Sequence, residues 1–164
     1  MKKTQFKFEY EVYDSLDELN ELDAKLVMKA RKVTKSAYAP YSNFHVGAAA
    51  VLDNHKIVTG TNQENASYPI TICAERALLA SASSLFPNVA IKTMAISYFN
   101  DNESATSLKP ISPCGMCRQG ILEYEVRSGA AIRIILSGQQ GKIYIISSIS
   151  DLLPLSFKAE DLKL

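Results

Sequence analysis

Apolar and polar residues alternate at the start of the chain. Phe6, Phe8, Tyr10 and Val12 are separated by Lys7, Glu9 and Glu11, the two-residue period of a half-buried strand. This predicts an ordered, strand-like arm over residues 1–14. The period then lengthens. Ser15-Leu16-Asp17-Glu18 has the form of a capping box, and Leu19, Leu22, Leu26, Ala30 and Val33 follow at helical spacing, predicting one long helix to about Ala37, before Pro40. Val46 to Leu52 reads as a buried strand that turns through Asp53-Asn54-His55 into Ile57 to Thr61, an antiparallel hairpin. A helix is expected to begin at Cys73. After it come a strand from Lys92 to Tyr98, a helix from Gly115 to Arg127, and strands from Ala131 to Leu136 and Lys142 to Ser147. Strands alternating with helices imply an α/β domain of three layers, α/β/α, around a sheet of about five strands.

Composition narrows the picture without redirecting it. A chain of 164 residues, 47% hydrophobic, fits one globular domain over residues 1–164 with a proper core. No internal repeat, linker or low-complexity segment divides it. The net charge is only +1 and the basic residues are scattered, which argues against nucleic acid and for a small neutral substrate. No apolar run reaches signal-peptide or membrane length, so no membrane partner is expected and a reduced cytoplasm is the expected compartment.

The chemistry is concentrated in three cysteines, arranged as Cys73-Ala74-Glu75 and Pro113-Cys114-Gly115-Met116-Cys117. Cys114 and Cys117 lie three apart at a predicted helix start and so share a face. Cys73 opens another helix, where free amides and the positive dipole end favour thiolates. Zinc binds tetrahedrally, and three protein ligands leave one position for water, which then ionises near neutral pH. Glu75, two residues after Cys73, is placed to move protons without binding the metal. Three thiolates leave a site of net negative charge, which Arg76 or Arg118 would offset. The alternatives are a redox dithiol or ordinary buried thiols at Cys114 and Cys117, a solvated helix residue at Glu75, and a purely structural zinc in a binding protein. His45 and His55 read as structural or solvated.

Cys-Ala-Glu followed by Pro-Cys-x-x-Cys resembles the zinc-dependent nucleoside and nucleobase deaminases. With cysteine rather than histidine at position 73, the chain is similar to the small, all-cysteine, homotetrameric cytidine deaminases. The likeness extends to residues 41–49, 62–69 and 112–119, and matches in order span about residues 36 to 157. It implies a cytidine deaminase-like fold with a mixed sheet and one Zn2+ per chain. The implied reaction is hydrolytic deamination of cytidine and 2'-deoxycytidine to the uridine nucleosides, with release of ammonia. By the same resemblance Glu75 is the general acid and base, Asn62 and Glu64 hold the ribose hydroxyls, and Phe44 packs against the nucleoside. Ala66 offers backbone groups, Tyr68 reaches a neighbouring subunit's site, Arg76 neutralises zinc-bound sulfur, and Phe157 covers the base of an adjacent subunit.

Several of these positions also have an ordinary structural reading: Phe44 and Phe157 as plain packing, Asn62 and Glu64 as shapers of a turn, and Arg76 as a surface helix residue. A related three-cysteine deaminase of blasticidin-type cytosine antibiotics is the nearest alternative, and Glu64 argues against it. The chain departs from the compact family pattern in its N-terminal extension of about twenty residues and in a longer loop at residues 101–107, before Ser112.

Overall fold

A computed structural model of the chain describes residues 1–102 and 107–162. Six strands form one mixed sheet: β1 (Glu11–Tyr13), β2 (Phe44–Leu52), β3 (Ile57–Thr61), β4 (Ile91–Asn100), β5 (Arg133–Ser137) and β6 (Ile143–Ile146). Their spatial order is β1-β6-β5-β4-β2-β3. Only β4 and β5 run parallel; every other neighbouring pair is antiparallel. Helix α1 (Glu21–Val33) covers one face, and α2 (Ala74–Leu85) and α3 (Gly115–Ser128) cover the other. The expected α/β/α layering is present, with one strand more than expected, supplied by the end of the N-terminal arm.

Strand β2 shows why both faces are covered. Ala48, Ala50 and Leu52 point into the larger apolar cluster, with Leu78, Leu79 and Ala82 of α2 and Ile121 and Leu122 of α3. Ala49 points the other way, to Leu26, Val27 and Ala30 of α1. A strand buried on both faces reads as a continuous apolar run rather than an alternation. Its hairpin forms as predicted, with Val51 opposite Ile57 and His55 in the left-handed region at φ 62°.

The first helix starts later and ends earlier than its sequence pattern implies. Ser15 makes no side-chain cap and heads only a short 3-10 turn, whereas Asn20 accepts from the Asp23 amide at 3.0 Å and sets the start of α1. The buried stripe is Asp23, Leu26, Val27 and Ala30, so Leu22, predicted to face the core, is exposed. At the other end residues 34–36 tighten into a 3-10 turn. The arm differs too: only Glu11–Tyr13 pair with the sheet, and Phe6, Phe8, Tyr10 and Val12 are exposed, not half-buried. Of the longer loop before Ser112, residues 103–106 lie outside the described residues.

Two glycines let helices sit directly on strands. A Cβ at Gly47 would lie 2.3 Å from the Ala30 carbonyl oxygen of α1. One at Gly60 would lie 2.4 Å from the Ala74 oxygen and 2.5 Å from the Leu78 nitrogen, both backbone atoms of α2. The Gly60 contact bears on function, because α2 carries Cys73 and Glu75 at its start. Gly60→Ala is expected to lift α2 off the sheet, costing about 3 kcal/mol, at the upper end of overpacking effects. Thermal melting then falls by roughly 6–12 °C for a domain of this size, and an unchanged melting point would contradict the close packing.

Candidate active site

The N-termini of α2 and α3 meet. Cys73 and Cys114 are their N-cap residues, both extended (ψ 155° and 168°), and neither sulfur caps its helix by a hydrogen bond. Cys117 sits one turn into α3 and is buried. The three Sγ atoms all lie within 4.8 Å of one another. Cys73 to Cys114 is 3.9 Å and Cys114 to Cys117 is 3.4 Å. Two sulfurs about 2.3 Å from a tetrahedral zinc would stand about 3.8 Å apart, so the donors fit that ion. Among the described residues no fourth Cys, His, Asp or Glu joins the cluster. His45 instead faces Asp101 at 3.0 Å. Three converging sulfurs, rather than a pair, disfavour the redox-dithiol reading, and a three-donor set disfavours a closed structural site.

Cys73 and Cys117 differ in how firmly they hold their protons. Hydrogen bonding from Cys117 draws the Cys73 thiol down to about 6, with Arg76 contributing in the same direction. The same bond and burial push Cys117 up. Arg118, the other candidate for balancing charge, is engaged elsewhere: its Nε donates to the Pro113 oxygen at 2.9 Å and its Nη1 to the Leu152 oxygen at 2.8 Å. It braces the loop that presents Cys114.

Glu75 lies in the first turn of α2, 4% exposed, beside the sulfurs. Burial raises its pKa above the usual carboxylate range, against a hydrogen bond from its own amide and one from Cys117. A cleft of about 410 Å3 opens onto it, lined among others by Phe44, Asn62, Glu64, Cys73, Glu75 and Cys114. That volume suits a small organic ligand. The ring of Phe44 stacks on Tyr98 at 4.9 Å between centroids.

Asn62 and Glu64 reach the cleft through the segment that links β3 to α2. Gln63 pins that segment by exchanging backbone bonds with Ile72 at 2.9 and 3.1 Å. Asn62 bridges the start of β2, accepting from the Val46 amide at 2.7 Å and donating to the Phe44 oxygen at 2.9 Å. Glu64 accepts from the amides of Tyr41 and Ser42 at 2.9 and 3.2 Å and from the Ser42 hydroxyl at 2.5 Å. These bonds hold its carboxyl below its ordinary pKa, although partial desolvation is the largest single influence and acts upward. Both residues thus shape a turn and line the cleft at once. Ser42, the anchor of Glu64, lay within the resembling stretch but carried no signal of its own.

Tyr68, Ala66 and Phe157 are not brought to the cleft within one chain. Tyr68 is exposed and meets Tyr41 edge-on at 5.8 Å, and Ala66 is exposed on the same segment. Phe157 is exposed beside Arg76, Met116 and Gln119, where its carbonyl accepts from Gln119 Nε2 at 2.9 Å.

Residues 20–131 match the family profile described as the cytidine and deoxycytidylate deaminase zinc-binding region. A cytidine deaminase of Halalkalibacterium halodurans is 38% identical over 84% of this chain and 95% of its own. The solved cytidine deaminase of Burkholderia pseudomallei superposes with a TM-score of 0.70 at 35% identity, over 85% of this chain and all of that one (100%). A Blasticidin-S deaminase of Bacillus cereus is more distant, 28% identical over 85% of this chain and 94% of its own.

Proposed function

Since this chain belongs to the cytidine and deoxycytidylate deaminase zinc-binding family, we propose that its cleft converts cytidine and 2'-deoxycytidine to uridine and 2'-deoxyuridine, releasing ammonia for pyrimidine salvage. The observation that carries the reading is the convergence of Cys73, Cys114 and Cys117 beside the buried Glu75, with Cys73, Cys114 and Glu75 lining a cleft of about 410 Å3. Zinc is the cofactor, one ion per chain, and when held by these thiolates it supplies the Lewis acidity that ionises water near neutral pH.

The chain's own residues supply the remaining functions. Glu75 takes the two protons of the attacking water in turn, passing the first to the ring N3 and the second to the departing amine at C4, so that water adds and ammonia leaves. Its burial keeps bulk water from competing for those protons. Phe44, already stacked on Tyr98, offers its ring to the nucleoside, and Asn62 and Glu64 meet the ribose hydroxyls. Ala66, exposed outside the chain's own cleft on the segment that carries Glu64, offers backbone groups to the ligand. Arg76 offsets the negative charge of the thiolates.

Tyr68 and Phe157 stand exposed outside the chain's own cleft. That placement supports a homotetramer in which each reaches a neighbouring copy's site, Phe157 as the cover over the base. Light scattering that found an active monomer would overturn the assembly. Residues 1–164 act as one domain, with residues 1–14 as an extension. No helix among the described residues is long and apolar enough to cross a membrane. Thiolate ligands require reduced cysteines, which supports a cytoplasmic enzyme.

The test is ultraviolet assay of zinc-loaded protein with cytidine and with blasticidin S. Turnover of cytidine supports the reading; turnover of the antibiotic alone overturns it. Glu64→Ala separates the two further. Removing a charged hydrogen-bond acceptor costs about 1.5–3 kcal/mol, so KM for cytidine is expected to rise about 10- to 100-fold. An unchanged KM would remove Glu64 from the sugar.

A further inference from the structure

We propose that residues 5–11 of the arm pair antiparallel, across a two-fold axis at Phe8, with the same residues of a second copy of this chain. Three observations lead there. First, Phe6, Phe8 and Tyr10 form a ladder with successive ring centroids 6.4 and 6.0 Å apart, ending on Tyr144 of β6 at 5.2 Å. That spacing is close to the rise of two residues in an extended chain, so the segment already has strand geometry. Second, it runs on from β1, the edge strand of the sheet, and among the described residues the backbone groups of residues 6–10 have no backbone partner. An extended edge with free amides and carbonyls is a template for strand addition.

Third, the sequence is complementary to itself in one register. With Phe8 opposite Phe8, Phe6 faces Tyr10, Lys7 faces Glu9 and Gln5 faces Glu11, each twice by symmetry. All aromatic residues then fall on one face and each lysine meets a glutamate. Moving the axis to Glu9 sets Glu9 against Glu9, and moving it to Lys7 sets Lys7 against Lys7; like charges directly opposite are destabilising. The occupant is therefore a second arm rather than an unrelated strand. The pairing stands apart from the proposed reaction, because the arm lines neither the cleft nor the cysteine cluster.

Disulfide trapping of the full-length, zinc-loaded protein tests both the pairing and its register. Phe8→Cys places two thiols across the axis and is expected to give a covalent dimer on mild oxidation with glutathione disulfide, with the parent protein as control for its own cysteines. Glu9→Cys, facing residue 7, is expected not to. Adding Lys7→Glu to Phe8→Cys sets glutamates against glutamates at two places and slows trapping about tenfold. Adding Glu9→Lys as well restores the opposite charges and the rate. Three results would each overturn the proposal: trapping no faster than for Leu85→Cys at an exposed site on α2, faster trapping through Glu9→Cys, or no rescue by the double swap.

Discussion

Glu75→Gln is expected to keep a full complement of zinc while turnover of cytidine falls about a thousandfold, within the range usual for loss of a general acid-base group. The substitution is nearly isosteric, and the amide remains a hydrogen-bonding group in a position only 4% exposed, so packing of α2 against the sheet is preserved. Zinc content is expected to be unaffected because the sulfurs of Cys73, Cys114 and Cys117 form a three-donor cluster by themselves, and among the described residues no carboxylate joins it. An amide cannot gain and release a proton in the working pH range, so transfer to N3 and to the leaving amine loses its carrier. Metal analysis and the ultraviolet rate on the same sample separate the two effects. A variant holding zinc with more than a tenth of the parental rate would dismiss Glu75 as the proton carrier, and one that lost zinc would make it a ligand.

Why this site could be read from sequence while other parts could not follows from where the information lies. Cys73 and Cys114 each combine two local signals, a helix start and a residue type that zinc favours, and local signals survive without knowledge of the fold. The hairpin of β2 and β3 is legible for the same reason, its turn being three consecutive polar residues. Sheet order is not local: that β4 pairs with β5 in parallel while β1 closes the far edge depends on crossovers that no window of sequence contains. The start of α1 lies at Asn20 rather than Ser15 because the side-chain amide of Asn20 reaches both the backbone and the side chain of Asp23, whereas Ser15 makes no side-chain cap. The arm's alternation indicated an extended chain but not what covers it, since a period of two marks a face and cannot say whether that face is covered. Gly60 is the reverse case, its role being invisible until α2 is seen against it.

Cys114→Ala and Cys117→Ala are both expected to abolish stoichiometric zinc binding, and turnover with it, yet to differ in what they do to the fold. Two thiolates cannot fill the three protein positions of a catalytic zinc, and a ligand lost from a small set takes most of the affinity. Cys114 is exposed and makes its contacts with the other two sulfurs. Truncating it leaves little void, so metal-free Cys114→Ala should melt with the metal-free parent. Cys117 is 0% exposed, on the face of α3 that packs into the sheet, and losing its sulfur leaves a small cavity. A cost of about 1–2 kcal/mol follows from burial lost plus incomplete collapse, or roughly 2–8 °C in melting temperature. Comparing the metal-free forms is essential, since zinc stabilises only the parent. Metal analysis after dialysis, with melting curves in chelator, reads both quantities. Full zinc and full turnover in either variant would exclude the three-sulfur site, and equal melting of the two would show that Cys117 serves the metal alone.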